Sequence, residues 1–256
     1  MLVDVLFDPF EGRWDEVCDG ARAAEEAGFD GVWLYDHLAG SVHGASRVLE
    51  CWTTLTAIAA VVPRITVGPL VLNVANRDAG TLAVMASTLQ EVSGGRLLLG
   101  VGAGGGQDTP YAAEQEALGR TVRAAAARRR AVEEAVTRLR AVWSGRFGGV
   151  SGFLRPEPTP PIIIGGFGPK MAELAGRVGD GMNAPGGPRL RDLITVARRA
   201  YAQTGRDPET FLVTASMSPS LRERERLGDL GVSRGVVYVA RPYARGVADA
   251  RAALGD

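Results

Sequence analysis

The chain has 256 residues, 46% of them hydrophobic, and its 29 basic and 29 acidic side chains cancel. That length and apolar content suit one sizeable core, so a single domain over residues 1–256 is expected. A balanced charge supplies no field to recruit nucleic acid, no apolar run is long enough to span a bilayer, and the N-terminus carries no signal pattern, so the expected partner is a small molecule and the expected location the cytoplasm.

Cys18 and Cys51 are the only cysteines, they have no ligand-like spacing, and there are two histidines, so no metal site is expected. Both cysteines read as core packing.

Val3–Phe7 reads as a strand, followed by a helix whose stripe is Trp14, Val17, Cys18, Ala21 and Ala24, stopped at Gly28. Val32–Tyr35 is the next strand, Trp52–Val62 a helix ended by Pro63, Ile65–Leu72 a β-branched strand, and Thr81–Val92 a helix closed by Ser93-Gly94-Gly95. Leu97–Val101 is a buried strand. Val122, Ala125, Val132, Val136, Leu139 and Trp143 then mark the apolar stripe of a long arginine-rich helix. The Gly/Pro-rich stretch Ser144–Pro161 reads as a surface connection.

The second half alternates in the same way. Strands Ile162–Ile164, Gly181–Ala184, Phe211–Met217 and Gly235–Val239 are followed by helices from Gly168-Pro169 to Val178, Leu190–Gln203, Leu221–Leu230 and Tyr243–Leu254. Eight strands, each followed by a helix, imply right-handed parallel crossovers and a (β/α)8 TIM barrel, with an open doubly wound sheet as the other architecture.

Active sites of such barrels form at the carboxyl ends of the strands. After Val32–Tyr35 come Asp36 and His37, and an imidazole there can give or take a proton at the mouth; the same dipeptide also suits a loop or helix cap. After Ile162–Ile164 come Gly165, Gly166, Phe167, Gly168, Pro169 and Lys170, where glycines, a helix N-terminus and proline at the first helical position fit a phosphate cradle or a tight turn. The run Gly100–Gly106 contains a G-x-G-x-x-G pattern but no helix opens directly after it, so it reads as a glycine floor under a flat ring or as a loop, not as a dinucleotide motif. Asn73 ends the third strand with a donor and an acceptor at the mouth. His43 and Asp108 read as solvated loop residues.

Three blocks, A-E-E-A-G-F-D-G-V-W-L-Y-D-H (24–37), S-T-L-Q-E-V-S-G-G-R-L-L-L-G-V-G-A-G (87–104) and P-I-I-I-G-G-F-G-P (161–169), resemble the luciferase-like monooxygenase class. The resemblance implies a shortened TIM barrel that binds coenzyme F420 or FMN at its mouth. The glycine–proline strand Gly68–Asn73 is more similar to the deazaflavin branch, which implies an F420-dependent hydride-transfer oxidoreductase. An FMN-dependent monooxygenase and a non-catalytic flavin-binding barrel are the other readings.

By this resemblance His37 is the catalytic proton donor or electrostatic partner. Asp36 lies beside the ring, Leu70 and Val71 form a bulge with a non-proline cis peptide behind it, and Asn73, Ala103 and Gly104 contact it. Gly165, Gly166, Phe167, Gly168 and Lys170 hold the phosphate. One departure stands out. Sugar-phosphate dehydrogenases of the class carry an acid just after the glycine run, where this chain has Gly105 and Gly106, so a sugar phosphate is a poor substrate expectation. The loops after Asn73 and between Trp143 and Pro161 are short, which implies an open pocket or one completed by a partner in a homodimer.

Overall fold

The computed structural model describes residues 1–255; Asp256, the last residue of the expected domain, lies outside them. Eight parallel staves form among the described residues: β1 (Leu2–Phe7), β2 (Gly31–Leu34), β3 (Thr66–Pro69), β4 (Leu99–Gly102), β5 (Ile162–Gly165), β6 (Gly181–Ala184), β7 (Leu212–Met217) and β8 (Arg234–Val239). They pair in the order β3-β2-β1-β8-β7-β6-β5-β4. The ring closes where Val67 of β3 bridges Leu97 just before β4, with Leu98 N donating to Val67 O at 3.0 Å. The expected TIM barrel is therefore the observed fold, and the open sheet is not.

One stave departs from expectation. Instead of running through Ile65–Leu72, β3 stops at Pro69 and resumes as Leu72–Asn73, paired with Val101 and Gly102 of β4. Pro69 has no N–H to give the ladder, and the intervening Leu70–Val71 peptide is cis, as the resemblance implied.

The helices α1 (Trp14–Glu26), α2 (Cys51–Val61), α3 (Ala79–Val92), α4 (Tyr111–Ala117), α5 (Ala125–Trp143), α6 (Pro169–Val178), α7 (Leu190–Ala202), α8 (Leu221–Asp229) and α9 (Tyr243–Ala253) complete the chain. Most of each anticipated stripe is the buried face, Val17, Cys18, Ala21 and Ala24 on α1 and Val132, Val136, Leu139 and Trp143 on α5, but Trp14 and Ala125, at the helix starts, are exposed. Side-chain caps fix several starts, with Glu50 accepting from Trp52 N and Thr53 N at α2, and Asp78 accepting from Gly80 N and Thr81 N at α3. The arginine-rich helix begins at Ala125 rather than Val122. The Ser144–Pro161 connection carries a small hairpin of Arg146–Phe147 and Val150–Ser151.

The barrel is filled from below. Asp4 is fully buried and accepts from Arg234 Nε and Nη2 at 2.7 Å each and from Trp33 Nε1 at 2.8 Å. Above this ion pair Leu6, Trp33, Leu98 and Val236 make an apolar layer, against which Tyr35 and Leu70 pack. Inside the barrel, among the described residues, space for a ligand is therefore left at the carboxyl ends of the staves.

Candidate active site

A cleft of about 960 Å³ opens at that mouth. Its lining unites every residue expected at the site: Asp36, His37, Leu70, Val71, Asn73, Ala103, Gly104, Gly165, Gly166, Phe167, Gly168 and Lys170. The volume suits a cofactor with a substrate beside it.

His37 follows β2 and is held by a residue that sequence reading missed. Glu114, on the short helix α4, puts Oε2 3.0 Å from His37 Nδ1 and accepts the Leu38 backbone N–H on Oε1 at 2.9 Å. The Glu114 side chain is 2% exposed. An ionised carboxylate only accepts, so Nδ1 carries the proton and Nε2 is left as the acceptor of the neutral ring. Tyr111, one turn earlier on α4, packs its ring 4.9 Å from the imidazole, and Phe10 and His43 pack at 5.3 and 5.2 Å. The available signal was Tyr111 and Glu114 at i, i+3, which share one face of a helix; the segment is a single short helix behind a glycine run, and it reads as loop. His43, expected to be a solvated loop residue, is exposed yet stacks 4.3 Å from Phe10.

Asp36 lines the cleft, but its carboxylate is engaged on both oxygens. Oδ2 accepts from Asn73 N at 2.9 Å and from Asn76 Nδ2 and Arg77 Nη1 at 3.0 Å, and Oδ1 accepts from Arg77 Nη2 at 2.9 Å. Arg77 also binds Glu50, the cap of α2. Burial alone would lower the Arg77 pKa, and the two carboxylates reverse that and hold it above its ordinary value. Asp36 thus ties the end of β2 to the end of β3 and sets the position of its neighbour His37.

The glycines divide into two kinds. A Cβ added to Gly102 would stand 2.5 Å from Val71 Cγ2, and one on Gly165 2.8 Å from it, so these two are required by the Val71 side chain that lies between β4 and β5. Gly104 (φ +65°) packs on the Asn73 amide, and its carbonyl accepts from Arg128 Nη1 at 2.7 Å. Gly168 is different. It caps α6 with no side chain, has extended backbone at φ −146°, and a Cβ there would meet nothing within 4 Å. Neither packing nor backbone demands glycine at 168; what it leaves is open space at a helix N-terminus, with Pro169 at the first position. Phe167 beside it is 76% exposed, although apolar.

The wall formed by β1, β2 and β8 carries Tyr35 and Tyr238. Tyr238 donates to Asp8 Oδ2 at 3.0 Å, and partial burial together with that hydrogen bond and charge pushes its phenol up to about 12. Burial, then the Asp8 charge, also raises Tyr35.

Fold and mouth together define a TIM barrel with a cofactor-sized cleft and a carboxylate-supported histidine at its edge. The chain belongs to the luciferase-like monooxygenase family, whose model matches residues 6–227. It is 32% identical over 218 residues to an F420-dependent glucose-6-phosphate dehydrogenase of Microbacterium testaceum, covering 81% of this chain and 57% of that one. It is 30% identical over 207 residues to a 5,10-methylenetetrahydromethanopterin reductase of Methanolobus tindarius, covering 76% and 58%. The chain thus spans a little under three fifths of these curated relatives. Among solved structures it resembles an F420-dependent secondary alcohol dehydrogenase in complex with an F420-acetone adduct, with TM-score 0.85, 17% identity and coverage of 99% and 98%. No helix among the described residues is long and apolar enough to cross a membrane.

Proposed function

We propose that this chain is an oxidoreductase passing a hydride between coenzyme F420 and a small organic substrate. The carrying observation is His37 at the cleft edge with its Nδ1 on the buried Glu114, which leaves Nε2 for a substrate proton. The relatives named as F420-dependent support the choice of cofactor.

The residues present fit such a group. The empty space at Gly168 and the N-terminus of α6 suit a phosphate, with Lys170 beside them. Arg128 Nε is a buried donor without a partner at the neighbouring loop, and Leu70, Val71, Asn73, Ala103 and Gly104 offer a wall for a flat ring. When bound, the deazaflavin supplies a ring carbon that exchanges a hydride, two electrons at a time.

His37 then handles the accompanying proton. In the oxidising direction Nε2 takes the substrate hydroxyl proton, and Glu114 stabilises the resulting imidazolium; in reverse the imidazolium returns the proton to a carbonyl oxygen. Asp36 and Arg77 keep the loop carrying the imidazole in place. A cytoplasmic homodimer belongs to the same proposal, and sedimentation of the purified protein tests the dimer. The function is tested by following the visible absorbance of oxidised F420 with and without His37.

A further inference from the structure

The cations lining the cleft are Arg128, Arg129 and Lys170, all on α5 or the start of α6, over the loops after β4 and β5. Across the mouth, among the described residues that line it, β1, β2, β7 and β8 contribute no lysine or arginine. Arg241, which follows β8, is bound by both Glu16 oxygens at 2.8 Å. Beside Asp36 and His37 of the site, and Ser216 and Met217 of β7, that half offers two phenols over the apolar Leu6 and Val236, with the Asp8 carboxylate behind Tyr238. Because Tyr238 gives its hydroxyl proton to Asp8, its oxygen faces a ligand as an acceptor. Tyr35 still has its O–H to give.

We propose that this half of the mouth is a subsite for an uncharged substrate that, through a hydroxyl other than the one whose proton passes to His37, donates to Tyr238 and accepts from Tyr35 while its carbon skeleton lies on the apolar floor. The subsite rests on the hydride-transfer reading and narrows it. A carboxylate has no proton for Tyr238, and either it or a phosphate meets the field of Asp8 with no lysine or arginine lining this half to compensate. An ammonium satisfies Tyr238 but must shed its hydration against Leu6 and Val236. A neutral hydroxyl incurs neither penalty. The phosphate group of the sugar phosphate in the name of one relative is therefore the wrong charge for this wall.

The test is an isosteric series of cyclohexanol, cyclohexanecarboxylate and cyclohexylammonium, titrated against the protein with and without F420 and read by tryptophan fluorescence, since Trp33 lies in the layer below. Cyclohexanol is expected to bind at least tenfold more tightly than either ion. Asp8→Asn keeps an acceptor oxygen for the Phe10 N–H, so it preserves the turn, and it is expected to shrink the carboxylate penalty at least threefold. Tyr238→Phe is expected to weaken cyclohexanol severalfold with the melting temperature maintained. A carboxylate or ammonium bound as tightly as the alcohol overturns the subsite, as does a carboxylate penalty that Asp8→Asn leaves unchanged. If F420 fails to bind while the neutral preference holds, the subsite stands and only the cofactor reading falls.

Discussion

Glu114 grips the end of β2 twice, with Oε2 3.0 Å from His37 Nδ1 and Oε1 2.9 Å from the Leu38 N–H. One buried carboxylate thereby fixes both the ring and the backbone that carries it. This acid comes from α4, past the glycine run that ends in Gly105 and Gly106, and it faces the histidine.

Removing the imidazole separates chemistry from binding. General acid–base groups contribute about 10²- to 10⁴-fold, so His37→Ala is expected to lower single-turnover hydride transfer at least about 100-fold while F420 affinity stays within about threefold. Glu114→Gln lets an amide N–H face Nδ1 and favours the other tautomer, so turnover is expected to fall as well, again with little change in affinity. Stopped-flow turnover beside fluorescence titration checks both variants, and equal losses in the two readouts would remove the proton-handling role.

Gly168 is constrained by open space alone, so its substitution separates ligand binding from folding. Gly168→Asp sets a negative charge at the N-terminus of α6, where an anionic ligand is expected to sit. Cofactor affinity is expected to drop about tenfold or more, which corresponds to about 1.4 kcal/mol, with the melting temperature unchanged within a few degrees. Calorimetric titration and thermal melts check the pair.

The clamp between β2 and β3 is a matter of stability. The Asp36 side chain is wholly buried and that of Arg77 is 12% exposed, so Asp36→Ala leaves a largely buried guanidinium with Glu50 as its remaining acid. Breaking a buried pair costs about 3–5 kcal/mol, and with Glu50 still in place the lower end is expected. At this size that is a fall of roughly 6–12 °C, measured by circular dichroism.

Tyr238 gives a pH signature. Its phenol is pushed up to about 12 by burial, the Asp8 hydrogen bond and the Asp8 charge, against 10.0 ordinarily. A group whose pKa is raised in the fold favours the folded state below its ordinary value, and that contribution is lost as pH rises from about 10 to about 12. Ultraviolet titration is expected to show a late phenolate step, shared with the raised Tyr35 and Tyr243, that shrinks by one phenol in Tyr238→Phe and part of which moves to lower pH in Asp8→Asn.

The barrel was legible because its staves are short apolar runs separated by helices with plain stripes, such as Val17, Cys18, Ala21 and Ala24, and because Gly94-Gly95 and Gly168-Pro169 punctuate the ends. The cleft residues were legible from position after strands and from motif resemblance. What escaped was tertiary. Glu114 lies 77 residues from His37 on a seven-residue helix with no amphipathic run to announce it. Asp36 read as a ring neighbour, and its commitment to Arg77 and Asn76 depends on where β3 breaks. The glycines read as ring floor at 102 and as phosphate cradle at 165 answer first to Val71, a contact across staves that no local pattern encodes.

The central claim is that the mouth is built for F420, and the most direct measurement is titration of the purified protein with F420 and with FMN, each in both redox states, followed by tryptophan fluorescence. The expected result is saturable quenching by F420, weakened in Gly168→Asp, with FMN bound at least tenfold more weakly. Tight binding of FMN alone, or of neither cofactor, would contradict it.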